Sequence, residues 1–324
     1  MRTLTASVFA SVALLCTGAP VVAADHDAYH DQIASYWMHA GDVKPFTGRM
    51  WSPWPFERRV ENLADAGFEG IGIFHQSLQY VLENEAEGDT RKERLQWMAD
   101  VLEANDMEYV ELEFLTKWML PKDDYRRQAE KETRSLLMDA AKALDADHIK
   151  VGNIFGYPVP TEQLKQRFAQ LCQEGQKHGT TIAMEILPPD VNSDTLEEAM
   201  SWIGDDSQCG LFVDAWHVNH MEGYTYEAIS NLDADDIVAA ELNDGFTDID
   251  SPYIGFIERT VNMRRIPGNG EFDLAGLINA LGEAGFHGPW GNEILSEEYR
   301  RVPMDAAYPR VHRSTAKILK EAKQ

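Results

Sequence analysis

The sequence predicts a single (β/α)8 TIM barrel, on two observations. Short apolar runs alternate with amphipathic stretches along a chain of 324 residues, which is the pattern of strand and helix units around a parallel sheet. There are eight such apolar runs, the number of strands that closes a barrel of this kind. No linker rich in Pro, Gly or Ser divides the chain, so we expect one domain over residues 25–324.

The strands and helices can be assigned in order. Each predicted strand is an apolar run bounded by turn residues: 33–38, 69–74, 109–115, 148–153, 181–186, 210–214, 237–242 and 288–294. Between them, apolar residues with helical spacing predict helices such as 58–67, 91–106, 126–145 and 161–179. Several of these end with Gly or Asn, which are common just after a helix.

Four acidic residues lie late in strands five to eight: Glu185, Asp214, Glu241 and Glu293. Because the C-terminal strand ends of a barrel form one face, we expect these carboxylates to converge. Buried carboxylates need a cation to offset their repulsion and desolvation, and an oxygen-rich shell favours Mn²⁺ or Mg²⁺ over Zn²⁺. We therefore expect one divalent metal ion. The alternative, that each carboxylate caps the helix that follows, is less economical for four consecutive strands.

The N-terminus predicts export. Arg2, an apolar stretch and small residues before Asp25 form the pattern of a signal peptide over residues 1–24, so we expect a periplasmic or secreted protein. The apolar stretch is too short and too interrupted to span a membrane. A net charge of -25 argues against nucleic acid or anionic lipid as partners. A homo-oligomer or a partner subunit stays open.

Two cysteines follow the predicted signal peptide, Cys172 in a predicted helix and Cys209 before a strand. An oxidising compartment would permit a disulfide bond, but a pair of cysteines alone says little about their distance. We expect two independent thiols.

Polar residues alternate along strands three and four. Glu111 and Glu113 share one face, and His148 and Lys150 share a face of the next strand. We expect a structural ion pair between Glu113 and Lys150 inside the barrel, the alternative being that Lys150 polarises a substrate carbonyl. His75, at the end of strand two, would bind a sugar hydroxyl or serve as a structural histidine.

Five short segments carry a resemblance to a known family. KHGTTIAMEI, VDAWH, ELND, RIPGNGEFDL and GFHGPWGNEIL, in this order, resemble the xylose isomerase-like TIM-barrel superfamily, in its branch of sugar isomerases, epimerases and inosose dehydratases, related to endonuclease IV. The resemblance implies that Glu185 and Glu293 are metal ligands and also the acid/base pair that flanks the substrate. It makes Asp214 a further ligand, His217 a contact to substrate oxygen and Arg265 a residue that reaches into the site.

One position departs from the family pattern. Glu241 stands where a histidine ligand is common, which adds negative charge and favours hard cations, or leaves Glu241 free to act as a base. Trp216, inside VDAWH, is expected to stack on a sugar ring.

These residues predict an isomerase or epimerase. A metal ion bound by a substrate carbonyl stabilises an enediolate, and carboxylates on either side of the carbon can take and return its proton. An exported chain without dense Lys/Arg clusters favours an unphosphorylated sugar or keto-sugar as the substrate. The alternatives are a dehydratase or lyase acting on a keto-sugar or keto-glycoside, and a non-catalytic carbohydrate-binding barrel.

Overall fold

The fold is a closed barrel of eight parallel strands, in a computed structural model that describes residues 30–204, 209–247 and 254–322. The strands follow chain order and the first pairs with the last, so the predicted (β/α)8 barrel is confirmed. Their bounds are β1 Gln32–Ala34, β2 Gly70–Phe74, β3 Tyr109–Leu115, β4 His148–Gly152, β5 Thr181–Glu185, β6 Cys209–Asp214, β7 Ile237–Leu242 and β8 Trp290–Asn292. The predicted signal peptide lies outside the described residues.

Helices surround the barrel and connect its strands. They are α1 Tyr36–His39, α2 Phe56–Ala66, α3 His75–Asn84, α4 Arg91–Glu103, α5 Gln128–Leu144, α6 Thr161–Lys177, α7 Leu196–Ile203, α8 Ala215–Asn219, α9 Tyr226–Ser230, α10 Phe256–Thr260, α11 Leu274–Glu283 and α12 Met304–Ala322. Sequence signals explain several ends: Thr90 and Glu93 form a capping box at the start of α4, and Gly67 adopts a left-handed φ of 97° after α2. Within the described ranges, no helix is long and apolar enough to cross a bilayer.

Most predicted strands match the structure within a residue or two, but the first does not. The run predicted as a strand over 33–38 continues as β1 only to Ala34, and its second half forms α1. The backbone turns at Ser35, whose carbonyl oxygen accepts a hydrogen bond from the amide of Met38. Tyr36 and Trp37 then pack on Phe74, so tertiary packing overrides the strand preference of these aromatic residues.

The alternation of side chains along the strands divides the interior into two regions. One face packs outward against the helices, where Ile71, Leu112, Ile149 and Ile182 belong to the main hydrophobic core. Each such fully buried side chain contributes about 1.5–3 kcal/mol. The other face points into the barrel, where only a small apolar cluster of Ala183, Phe212 and Ala239 is found among the described residues. The rest of the interior is available for polar groups.

A disulfide bond joins Cys172 in α6 to Cys209, the first residue of β6. The expectation of two independent thiols is therefore wrong. The sequence pattern does not reveal this contact, because α6 packs across β5 onto the neighbouring strand, and that proximity depends on the closed barrel.

Candidate metal centre and active site

The four predicted carboxylates converge at the C-terminal end of the barrel. Glu185 and Asp214 end β5 and β6, Glu241 is the last but one residue of β7, and Glu293 directly follows β8. Each offers an oxygen atom, and these oxygens all lie within 4.8 Å of one another. All four residues are buried. A Cβ atom at Gly291 would lie 2.7 Å from the Cβ of Glu241, so glycine on β8 leaves the room that Glu241 occupies.

The alternative role as helix caps holds for one of the four. Asp214 caps α8, because its Oδ1 accepts a hydrogen bond of 2.8 Å from the amide of Trp216. Oδ1 also accepts a bond of 2.6 Å from Nδ2 of Asn243. The helix after β5 begins instead at the cap Thr195. Helix capping therefore explains the position of the Asp214 carboxylate, but it does not explain why all four carboxylates converge.

Arg264 bridges two of the carboxylates. Its Nη1 lies 2.7 Å from Oδ2 of Asp214 and 2.8 Å from Oε2 of Glu293. The guanidinium group is buried and lies over the ring of Trp216, with Cζ 5.7 Å from the ring centroid. Burial opposes ionisation of Asp214, but Arg264 and His217 hold the pKa of this carboxyl below its usual value.

Lys150 lies at the centre of a second group of carboxylates. Its Nζ is 3.0 Å from Oε2 of Glu241, 3.5 Å from Oε2 of Glu113, and 3.6 Å from Glu111 and Glu293. The predicted contact between Lys150 and Glu113 is confirmed, within a larger network than expected. Burial favours the neutral amine, but the surrounding carboxylates outweigh it and hold the pKa of Lys150 well above its usual value.

The buried carboxyls differ in their tendency to ionise. Burial raises the pKa of Glu113 to about 8, and burial together with Glu293 raises the pKa of Glu241 well above its usual value. Burial also raises the pKa of Glu293, against the effect of Arg264. Two cationic side chains are thus too few to keep all the carboxyls ionised, and the cluster has capacity for further positive charge.

The donor set fits a hard divalent cation. Oε2 of Glu241 accepts hydrogen bonds from Ser35 and Lys150, but its buried Oε1 has no hydrogen-bond partner among the described residues. The four carboxylates lie close enough together that small movements would bring them to one divalent ion. Glu185, Asp214, Glu241 and Glu293 are the residues that could hold it, and an all-oxygen set favours Mn²⁺ or Mg²⁺.

His217 lies beside this cluster. Its Nε2 is 3.3 Å from Oε1 of Glu185 and 3.2 Å from Oδ2 of Asp214, and its buried Nδ1 has no partner among the residues that the structure describes. These three residues form a second possible ligand set. His217 can therefore act as a ligand or as a donor to substrate.

A cavity of about 330 Å³ opens onto the cluster. Polar residues at its inner end include Glu113, Glu185, His217, Arg264 and Glu293. This volume is in the range of small-molecule sites. The arrangement places three carboxyl groups, those of Glu113, Glu185 and Glu293, against a molecule in the inner end of the cavity.

His75 lines the same cavity and also has a structural contact. Its Nδ1 accepts a hydrogen bond of 3.3 Å from the amide of Phe114, and burial lowers the pKa of the ring to about 4. The two predicted roles of His75, as a structural residue and as a contact to a sugar hydroxyl, are compatible. A neutral ring held through Nδ1 still presents its other side to the cavity.

Two predicted substrate contacts are not at the cavity. Arg265 pairs with Glu298 at the surface, at 2.8 Å, and Arg264 takes the position expected for it. Residues 244 and 265 form an antiparallel bridge, and successive side chains of such an extended segment point in opposite directions. Trp216 is fully buried, with its Nε1 bonded to Thr260, so it supports Arg264 and does not line the cavity.

Sequence reasoning missed Arg264, Asn243 and the apolar wall of the cavity. Arg264 could have been found by considering both arginines of the pair 264–265. Asn243 directly follows β7, a position that in a barrel points toward the site. Two residues of the apolar wall, Phe46 and Phe155, lie in loops, where no periodic pattern identifies them.

Comparison with known proteins agrees with this geometry. The chain is 25% identical over 251 residues to a 3-dehydroshikimate dehydratase of Pseudomonas putida, covering 76% of this chain and 37% of that protein. It therefore spans well under half of that relative. It is also 25% identical over 191 residues to an inosose isomerase of Bacillus subtilis, covering 56% of this chain and 66% of that protein.

A solved structure shows the same fold. A crystal structure of the IolI protein with a bound zinc atom matches with a TM-score of 0.70 at 17% identity, covering 90% of this chain and 98% of the other. The family model described as "Xylose isomerase-like TIM barrel" matches residues 60–321. The chain belongs to the xylose isomerase-like TIM barrel family, whose relatives include isomerases, epimerases and dehydratases.

Proposed function

We propose that the chain is a divalent-metal-dependent isomerase or epimerase that acts on an unphosphorylated sugar or keto-sugar. The observation that carries the proposal is that Glu185 and Glu293 both line the cavity and both belong to the four-carboxylate cluster. The two side chains can thus reach a substrate carbon while they remain part of one charged centre.

The reaction would be a proton transfer. A bound divalent ion would polarise a substrate carbonyl and stabilise negative charge on its oxygen. One of Glu185 and Glu293 would accept the proton from the carbon next to that carbonyl, and the other would return a proton. Return of the proton to the opposite face of the same carbon gives an epimer. Return to the former carbonyl carbon gives an isomer, when the hydroxyl proton of the first carbon also moves to the former carbonyl oxygen.

The other side chains would orient the substrate and hold the acid/base pair. Nη1 of Arg264 lies 2.8 Å from Glu293 and fixes this carboxylate at the cavity. His217, 3.3 Å from Glu185, would donate to a substrate oxygen. Lys117 and Arg264 are the Lys and Arg side chains that line the described cavity, and Arg264 is already engaged, which favours a substrate without phosphate.

A dehydratase or lyase is the second candidate. It is favoured by the similarity to a 3-dehydroshikimate dehydratase and by Glu113, a third carboxyl that lines the cavity. One carboxylate would take the proton next to the carbonyl, the C–O bond at the β-carbon would break, and Glu113 would protonate the departing oxygen. The product would then be an enone.

A proton-exchange experiment tests the proposal and separates the candidates. Mn²⁺-loaded protein is incubated with keto-sugars in D₂O, and the products are followed by NMR and ultraviolet absorbance. Deuterium at the carbon next to the carbonyl, in a product of unchanged composition, is the expected result. An enone absorbance would support the second candidate. Absence of exchange across the panel, or exchange that survives EDTA, would contradict the metal-dependent proposal.

We also infer that the protein is exported. The signal-peptide pattern of residues 1–24 supports this inference, and so does the disulfide bond between Cys172 and Cys209, since such bonds persist in oxidising compartments. Cell fractionation with mass measurement of the purified protein is the test. We expect a periplasmic or secreted chain that starts near residue 25 and has no free thiol after denaturation. A cytoplasmic, full-length chain would contradict export.

A further inference from the structure

The outer part of the cavity is aromatic, unlike its inner end. Six rings line it: Trp37, Phe46, Phe74, Phe114, Phe155 and Phe256. Phe74 and Phe114 belong to β2 and β3, and the other four rings come from loops and helices after β1, β4 and β7, so the wall is assembled from several separate parts of the chain. A free sugar has hydroxyl groups on every side, and this wall offers few partners for them.

Several of these apolar side chains are exposed at the rim. Phe46 is 56% exposed, Phe155 is 47% exposed and Ile257 is 41% exposed. Exposed apolar groups clustered around one opening indicate a surface that a ligand covers. All three line the same cavity that leads to Glu185 and Glu293.

Two rim residues also have an unfavourable backbone conformation. Phe46 and Lys117 both adopt a φ of 62°, in the left-handed region. The other non-glycine residues with positive φ in the described chain are Asp106 and Asp145, a residue type that tolerates this region at helix ends. A bulky residue is rare there, and strained residues cluster at ligand sites. Phe46 is thus both strained and exposed, and neither feature stabilises the fold.

Lys117 and Phe155 form a contact at the rim. Nζ of Lys117 lies 5.0 Å from the ring centroid of Phe155, a cation–π distance that fixes the orientation of this ring. The rim therefore holds at least one of its aromatic faces in place before a ligand arrives.

We propose that the substrate is an aryl glycoside or its keto form, with the sugar at the carboxylates and the aromatic group against Phe46 and Phe155. This inference rests on the proposed function, because the carboxylates determine where the sugar lies. Ring faces of Phe46 and Phe155 favour a flat aromatic group, since aromatic pairs gain more than the burial of their area alone.

Binding of simple glucosides to the Mn²⁺-loaded protein, measured by calorimetry, tests this inference. We expect phenyl β-glucoside to bind about tenfold more tightly than methyl β-glucoside, because a phenyl ring buries far more apolar area than a methyl group. Cyclohexyl β-glucoside, which has a ring of the same size without a π face, is expected between the two.

Substitutions at the rim test whether Phe46 and Phe155 cause the preference for phenyl glucoside. Phe46→Ser and Phe155→Ser should each remove most of the preference for phenyl over methyl glucoside, measured as the ratio of the two affinities. Tyr125→Ser is the matched control, because Tyr125 is an aromatic residue that is 86% exposed and does not line the cavity. This control should keep the full preference.

The possible results separate the inference from the proposed function. No preference for phenyl glucoside in protein that still binds Mn²⁺, or a preference that both rim variants retain, would overturn the inference alone. Cyclohexyl and phenyl glucosides of equal affinity would overturn its aromatic part. Failure of the unmodified protein to bind any divalent metal would instead contradict the proposed function.

Discussion

Both halves of the barrel interior contain acidic and basic side chains, but in different proportions. On β3 and β4, Glu111 and Glu113 face His148 and Lys150, so acidic and basic groups come from the same pair of strands. On β5 to β8, four carboxylates converge, and the nearest guanidinium group belongs to Arg264, outside the strands. Lys150 links the halves through its 3.0 Å contact with Glu241.

This difference shows how a buried glutamate acquires a structural or a functional role. Where a cation lies on the neighbouring strand, the carboxylate is neutralised within the fold. Nζ of Lys150 lies 3.6 Å from Oε1 of Glu111 and, against the effect of burial, helps to hold the pKa of this carboxyl below its usual value. Where carboxylates outnumber the cations, they keep the capacity to bind an added ion. Position in the barrel matters as well, because the second group lies at the strand ends, where the cavity opens.

The largest expected effect comes from removing the link between the halves. Lys150→Met leaves Glu111, whose pKa the ammonium group lowers, without this buried partner, and breaking a buried ion pair from one side costs about 3–5 kcal/mol. Urea unfolding would measure this loss. Lys131→Met, at an exposed position on α5, should change the free energy of unfolding by no more than about 0.5 kcal/mol.

A second substitution tests the reason for that loss. In a Lys150→Met/Glu111→Gln variant, part of the lost stability should return, because the unpaired charge has also been removed. If the second change adds to the loss, charge balance is not the cause.

Neighbouring arginines provide a more selective comparison. Arg264→Gln should lower the metal-free free energy of unfolding by about 2 kcal/mol, since Asp214 keeps its bonds to Asn243 and to the amide of Trp216. Because the cluster becomes more negative, Mn²⁺ should then stabilise the variant more than it stabilises the unmodified protein. Arg265→Gln removes a surface pair with Glu298 and a 5.9 Å contact with the ring of Phe246, and should change both quantities by no more than about 0.5 kcal/mol. Thermal unfolding with and without Mn²⁺ would show whether the two variants differ in this way.

His39, a neutral buried histidine outside both halves of the interior, is expected to have a smaller effect on the free energy of unfolding. Nε2 of His39 bonds the carbonyl oxygen of Gly72, its Nδ1 lies 3.1 Å from Nη1 of Arg59, and burial with Arg59 lowers its pKa to about 3. Because the folded-state pKa is depressed, this contribution to stability is fully present above pH 6.5. It is lost as the pH falls toward about 3, and the loss relative to neutral pH amounts to about 2 kcal/mol at pH 5.

Replacing this histidine is the direct check of that pH dependence. Urea unfolding at pH 7.5 and pH 5 should show a smaller difference for His39→Gln than for the unmodified protein. An equal difference in both proteins would mean that His39 does not account for the acid sensitivity.

The four carboxylates could be predicted from the sequence because strand ends are defined by apolar runs. Glu185, Asp214 and Glu241 fall at the ends of runs that the structure confirms as β5, β6 and β7. The pair Glu113 and Lys150 was predictable for a similar reason, since the twofold alternation of adjacent strands places both inside the barrel.

The missed residues lie where no periodic pattern applies. Arg264 is in an irregular segment, so its direction relative to Arg265 depends on the bridge between residues 244 and 265. Trp216 lies two residues after Asp214, in α8, and the helical turn carries its side chain away from the cavity. Phe46 and Phe155 are loop residues whose place at the rim depends on the packing of several loops at once.

Metal content measures the central claim most directly. The chain from residue 25 onward is dialysed against a mixture of Mn²⁺, Mg²⁺ and Zn²⁺ and analysed for bound metal, together with Glu185→Gln/Glu293→Gln and a surface control, Glu57→Gln/Glu283→Gln. We predict about one ion of Mn²⁺ or Mg²⁺ per chain in the unmodified protein and in the control, and none in the cavity variant. Absence of bound metal from all three proteins, or equal binding by all three, would contradict the four-carboxylate centre.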